Sequence, residues 1–172
     1  SDGYFFKNNE KLFADTWMLL IWKHNRENAC AVIAICELLQ IDLKHCQETL
    51  KTFGGLEHRL ELVWSYNNII RYNDAIATTP QATLAALDSF WQEVDTLLYG
   101  WVVGEYDHSL VAKKIVDYGI RNLVLFPDTG EILYSLLDEY TKSTLSVLHT
   151  RSMAEAVSRA AWKTEPWKIA LL

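Results

Sequence analysis

Asn25 and Asn28 stand three positions apart at the opening of an Ala-, Ile- and Val-rich stretch. That spacing puts both side chains on one face of a helix start, where two amides offer donors and acceptors together. The alternative for Asn25 is a plain helix cap. Further on, Arg59 presents a planar fork of donors suited to phosphate or ribose oxygens, or to a surface ion pair with Glu57 or Glu61. Asp74 falls between an expected strand and an expected helix, where a carboxylate can accept both hydroxyls of a ribose; a turn-forming aspartate is the plainer alternative. Thr79 precedes Pro80 and reads as a helix N-cap. Thr78 then lies beside the amino end of that helix, where backbone N–H groups and the dipole favour an anion. His58 reads as a packed or solvent-facing histidine or as a positioning residue. No nucleophile elbow, H-E-x-x-H pair or clustered His/Asp ligand set occurs, so neither catalytic residues nor metal ligands are assigned, and an independent hydrolase or metalloenzyme has little support.

The elements that must hold these residues follow from periodicity. Residues 1 to 22 read as strand-like pieces around the polar turn at residues 7 to 11. A helix is expected from Asn25 to about Leu39, and a second from Asp42, placed as an N-cap, to Phe53 before Gly54-Gly55. Leu60 to Tyr66 and Ile69 to Asn73 are β-rich runs around Asn67-Asn68, a hairpin signal. After the Thr79-Pro80 cap a helix runs to about Trp91, then strand and helix alternate: strand 94 to 99, helix 108 to 118, strand 122 to 126, a single helix from Asp128 or Thr129 to about Tyr140, strand 145 to 148, helix 152 to 162 and strand 168 to 172. That alternation predicts an α/β fold: a Rossmann-like, doubly wound, mostly parallel sheet of about six strands with an initial hairpin, preceded by a short strand and helical segment. Ligands in such sheets sit beyond the carboxyl ends of the strands, which marks the loops 73–79 and 100–107.

The 172 residues suffice for one compact domain with a short appendage. Half are hydrophobic and 22% are charged, the mixture of a folded chain. A net charge of −6 repels a phosphate backbone, so no nucleic-acid partner is expected, although a nucleotide needs only a local pocket. Cys30, Cys36 and Cys46 form no close pair and read as small buried side chains in a reducing compartment. The apolar patch from Trp17 to Trp22 is too short to span a bilayer and no signal peptide is recognisable, so a cytoplasmic location with no membrane partner is expected.

Four segments taken in order carry a resemblance: His24-Asn25-Arg26-Glu27-Asn28-Ala29, the run from Phe53 through Gly55-Leu56-Glu57-His58-Arg59 to Glu61, the run from Tyr72 through Asn73-Asp74 and Thr78-Thr79-Pro80 to Thr83, and Asn122 to Gly130. In this order and spacing the chain resembles the Mur ligases over nearly its whole length, and among them the D-glutamate-adding ligases, ATP-dependent amide-forming enzymes of peptidoglycan synthesis. The resemblance implies that residues 1–55 are the end of the central ligase domain with linker helices, and that residues 56–172 are the carboxy-terminal Rossmann-like domain, truncated in its last part. It implies nucleotide binding by Asn25, Asn28, Arg59 and Asp74, with the asparagines near the adenine, and D-glutamate binding by His58 and Thr78. It implies ATP and Mg as the family's cofactors, with none certain for this chain. Many family members carry lysine where this chain has Ile76, which removes one cation from such a site.

Two features separate the chain from a complete ligase. Forming an acyl phosphate from ATP needs a triphosphate cradle, and no G-x-x-x-x-G-K-[ST] run occurs here. By the resemblance, a Ser-Pro-Ala segment that helps to hold D-glutamate would follow Leu172, so ligation by this chain alone is not expected. The second feature is tryptophan, of which there are seven. Trp22, Trp101 and Trp167 stand where the family usually has glycine, a residue that permits positive φ or close approach of a ligand. Natural divergence and deliberate engineering both account for them. The engineering reading is a scaffold that binds a protein partner or forms a homo-oligomer through added aromatic and aliphatic residues.

Overall fold

Asn8 and Asn9 adopt φ values of 47° and 68°, a conformation asparagine tolerates better than most residues, and so reverse the chain between two short strands. The computed structural model describes residues 3–20, 22–100, 104 and 106–172. They fall into two compact units, Ser1–Leu56 and Glu57–Leu172.

In the first unit, β1 (Tyr4–Lys7) and β2 (Glu10–Ala14) form the antiparallel hairpin, with the rings of Phe5 and Phe13 5.2 Å apart. Two helices follow, α1 (Lys23–Leu38) and α2 (Leu43–Thr52). Asp42 starts α2 by accepting from the Lys44 N–H at 2.9 Å, a side-chain cap for an otherwise orphaned donor. Phe5, Phe13, Met18, Ala29, Ile33 and Cys46 bury a small common core. Of the cysteines only Cys46 is buried; Cys36 is half-buried and Cys30 exposed, because position 30 falls on the outer face of α1.

The second unit is the α/β domain. Asn67 and Asn68, at φ 52° and 61°, close the hairpin of β3 (Glu61–Tyr66) and β4 (Ile69–Asn73). Then come α3 (Pro80–Phe90), β5 (Val94–Tyr99), α4 (Ser109–Asp117), β6 (Asn122–Leu125), α5 (Thr129–Ser135), α6 (Glu139–Thr144), β7 (Ser146–His149), α7 (Met153–Lys163) and β8 (Ile169–Leu171). The sheet order is β3-β4-β8-β5-β6-β7, parallel at every pairing except the β3/β4 hairpin. The last strand therefore returns to the middle, between β4 and β5. Side chains alternate across the sheet, so Leu98, Val124 and Ala170 meet Ala156 and Ala160 of α7 on one face. Leu97, Leu123 and Leu125 point the other way and are as fully buried, which is why these strands read as continuous apolar runs.

One expected helix is two. Asp138 takes an extended backbone (φ −73°, ψ 164°) and its carboxylate accepts from the Thr141 N–H at 2.7 Å, so the chain after α5 restarts as α6 instead of running to Tyr140. Among the described residues no helix is long and apolar enough to cross a membrane.

Candidate functional site

Where β4, β8, β5 and β6 end, the second unit opens a cavity of about 190 Å³. Both loops marked by the topology contribute to its lining, the first through Asp74, Thr78 and Thr79, the second through Gly100 and Tyr106. Its floor depends on Gly100, at φ +133°, where a Cβ would lie 2.6 Å from the Phe126 carbonyl oxygen. Only glycine lets the end of β5 pass so close to the end of β6.

Asp74 is the carboxylate of this cleft. It is buried, its N–H donates to the Leu172 carbonyl at 2.6 Å, and its Oδ1 accepts from the Leu60 N–H at 3.0 Å. Burial raises its carboxyl pKa above the ordinary value, and the Leu60 N–H and the Arg59 charge pull it partly back. One aspartate thus ties the loop before β3 to the end of β4 while lining the cleft, which is more than a turn former does. Beside it, Asn73 Oδ1 accepts from the Ala75 N–H at 3.0 Å, which fixes the amide orientation. Its Nδ2 then donates to His58 Nδ1 at 2.8 Å, so a neutral His58 carries its proton on Nε2. His58 is exposed, sits at φ 62°, and its N–H donates to Glu61 Oε2 at 2.8 Å. Arg59 is exposed, and among the described residues it makes no ion pair with Glu57 or Glu61.

Thr79 caps α3 by accepting from the Ala82 N–H at 3.3 Å, with Pro80 in the first turn. Thr78 is exposed at the rim, its own N–H turned back to the Ile76 carbonyl at 2.9 Å. On the opposite wall, Tyr99 Oη lies 2.6 Å from His108 Nδ1 with the two rings edge to face. Burial pushes the Tyr99 phenol up to about 12. Neither Tyr99 nor His108 stands out in the sequence, because Tyr99 closes an apolar strand and His108 reads as the first residue of a helix. They are nine positions apart in the sequence.

The structure brings Arg59, His58, Asp74 and Thr78 into neighbouring stretches of the second unit. Asn25 and Asn28 belong to the first. The residue preceding α1 is Trp22, whose side chain makes no cap, so Asn25 is the third residue inside the helix and not its cap; it is half-buried, and Asn28 is exposed. Trp22 has an extended backbone (φ −69°, ψ 148°) and is half-buried. Trp167 is 72% exposed and adopts φ 68°, a conformation for which glycine is better suited. Trp101 lies outside the described residues. Among the described residues no group of three or more His, Cys, Asp or Glu side chains could hold a metal ion.

No protein-family model matches the sequence. Curated relatives do. The chain is 28% identical over 160 residues to UDP-N-acetylmuramoylalanine–D-glutamate ligase of Caldanaerobacter subterraneus subsp. tengcongensis, which covers 92% of this chain and 35% of that protein. It is 30% identical over 171 residues to the enzyme of the same name from Francisella tularensis subsp. novicida, covering 99% of this chain and 40% of the relative. The chain therefore spans well under half the length of these relatives. Among solved structures, UDP-N-acetylmuramate-alanine ligase MurC from Thermotoga maritima superposes with a TM-score of 0.62 at 19% identity, over 87% of this chain and 34% of that one.

Proposed function

We propose, since this chain belongs to the Mur ligase family, that its second unit retains part of the nucleotide- and D-glutamate-facing surface of a D-glutamate-adding ligase of peptidoglycan synthesis. Asp74 carries the reading. It is a buried carboxylate at a strand-to-helix junction, beside the Arg59 guanidinium and open to the cleft, as a ribose-binding acid requires. Arg59 supplies the planar donor fork for ribose or phosphate oxygens. Thr78, at the amino end of an eleven-residue helix, offers a hydroxyl where an anionic substrate is favoured, and His58 is held by Asn73 as a positioning residue. In the first unit, Asn25 and Asn28 are assigned to an adenine edge.

The sequence has no phosphate-cradling G-x-x-x-x-G-K-[ST] run, so ligation by this chain alone is not part of the proposal. ATP with Mg would bring the phosphoryl donor in the parent family; here the fit is to the ribose side, through Asp74 and Arg59, and no residue is assigned as a metal ligand. Calorimetric titration with ATP and ADP tests the reading. Binding heat that Asp74→Ala and Arg59→Ala abolish is the expected result; no heat at millimolar nucleotide contradicts it.

A second reading gives Trp22, Trp101 and Trp167 to a contact with a protein partner or a second copy of the chain, by divergence or by design. Trp167 favours it, since an indole that is 72% exposed at positive φ contributes little to its own fold. Sedimentation velocity decides: a discrete dimer lost in Trp167→Gly supports the contact, and a monomer at every concentration argues against it.

A further inference from the structure

Trp91 leaves α3 with φ 51° and ψ −136°, and Gln92 follows with φ −81° and ψ 17°. These are the two central residues of a type II′ turn, which takes about 60° and −120° and then about −80° and 0°. Its first central position belongs to glycine, because a Cβ there is crowded by its own backbone. Trp167 repeats the misfit in a second turn. The Lys168 N–H donates to the Glu165 carbonyl at 3.2 Å, Pro166 holds the first central position, and Trp167 holds the second at φ 68°. Proline followed by a positive φ is the type II pattern, whose second central residue is glycine or asparagine. The conformation at 167 is imposed by its surroundings, since its N–H donates to the Asn68 carbonyl at 2.6 Å and the chain then enters β8. Positive φ alone does not single these residues out, because Gln40, His58 and Leu60 share it. The turn types do.

The indoles return little for this strain. Trp91 is 63% exposed, with its ring 5.6 Å from that of Tyr118, and Trp167 is more exposed still. Strained bulky residues persist where a site needs them. Neither of these lines the cleft; both precede strands at the amino end of the sheet, away from it. Composition agrees. Seven glycines in 172 residues fall short of the roughly 7% of an ordinary domain, and tryptophan is as frequent as glycine. Position 167 is also one at which the resemblance expects glycine.

We infer that residues 91 and 167 are glycine in the protein as its own cell makes it, encoded by a triplet that this cell reads as glycine and another genetic code reads as tryptophan. UGA meets that condition, since bacterial codes read it as stop, as tryptophan or as glycine. Glycine keeps every backbone hydrogen bond of the second turn, including the one to Asn68, and releases the strain in both. The inference leaves the nucleotide and D-glutamate reading of the cleft untouched and competes with the partner contact assigned to Trp167.

Peptide mass spectrometry on the chain recovered from cells that carry its gene tests the inference, together with the gene's triplets at the two positions. UGA at both and glycine in both peptides are expected. Tryptophan in either peptide, or UGG at either position, overturns it. The physical argument is tested separately by urea unfolding of the full chain. Trp91→Gly and Trp167→Gly are each expected to raise the midpoint, and Trp162→Gly, inside α7, to lower it. A midpoint that fails to rise in either turn variant overturns that argument. A dimer lost in Trp167→Gly, alongside tryptophan in the recovered peptides, hands the residue to the partner contact.

Discussion

Two clusters of buried polar groups at opposite ends of the central sheet are satisfied to different degrees. At the amino end, Asp95 is buried and saturated. It accepts from Arg121 Nε at 2.7 Å and Nη2 at 2.6 Å, from Asn122 Nδ2 at 3.1 Å and from the Glu165 N–H at 2.9 Å. Arg121 also pairs with Glu165, and that contact first, then Asp95, raises its pKa, while the same pair holds the Glu165 carboxyl low. Thr96 and Thr164 close the network with a hydroxyl pair at 2.7 Å. At the carboxyl end, among the described residues, Asp74 is desolvated with one backbone donor on its side chain, and His108 Nε2 has no hydrogen-bond partner. The first cluster joins β5, β6 and the end of α7 and needs nothing further. Among the described residues the second leaves polar groups unsatisfied, and on the proposed reading a ligand completes it. On the proposed reading, stability is concentrated at one end and binding capacity at the other.

The contrast can be broken most forcefully at Asp95. Asp95→Ala takes the buried carboxylate away from the Arg121 guanidinium and the Glu165 N–H, leaves the Asn122 amide only its backbone acceptors, and is expected to cost about 3–5 kcal/mol in urea unfolding. A loss below about 1 kcal/mol would mean the amino end is no anchor. Gly100→Ala comes next. Forcing a Cβ into φ +133° costs about 1–3 kcal/mol, and its approach to Phe126 adds to that, so the midpoint of urea unfolding should fall and the cleft should distort. The double variant Tyr99→Phe, His108→Phe removes both polar partners together and should stay within about 1 kcal/mol of the parent, unlike Asp95→Ala. A large loss there would make the Tyr99–His108 pair structural.

The smallest effect depends on pH. Asp74 has its folded pKa raised above the unfolded value, so the folded state binds that proton more tightly and stability is lost as pH rises through the raised pKa. Asp74→Asn, which can still accept from the Leu60 N–H, should therefore unfold at higher denaturant than the parent at neutral pH. The advantage should vanish below the ordinary carboxylate value of 3.8, where the acid is neutral in both states. A variant less stable at neutral pH would show that the charge is compensated and that Asp74 belongs to the structure.

Much of this architecture is legible in the residue pattern. Thr79-Pro80 fixes the start of α3, Asn67-Asn68 fixes the hairpin, and the apolar runs at 94–99 and 122–126 fix central strands because both their faces are covered. The helix broken at Asp138 is not legible, since Leu136 and Leu137 continue the apolar rhythm and the cap wins only through its local hydrogen bond. The cleft is half legible. Asp74 and Thr78 announce themselves by their place at a strand-to-helix junction. Tyr99 is hidden inside an apolar strand, and the pairing of His58 with Asn73 bridges fifteen positions that only the β3/β4 register brings together. The positive φ of Trp167 is invisible in sequence, where tryptophan argues for an ordinary backbone.

The central claim is that the carboxyl end of the sheet receives the ligand, and amide chemical-shift mapping of the whole chain during titration with ATP and with D-glutamate tests it most directly. The account predicts saturable shifts concentrated at residues 58–60, 73–79 and 108, with residues 25–28 responding to ATP, and the network of Asp95, Arg121 and Glu165 unmoved. Shifts centred on that network, or none at millimolar ligand, would contradict it.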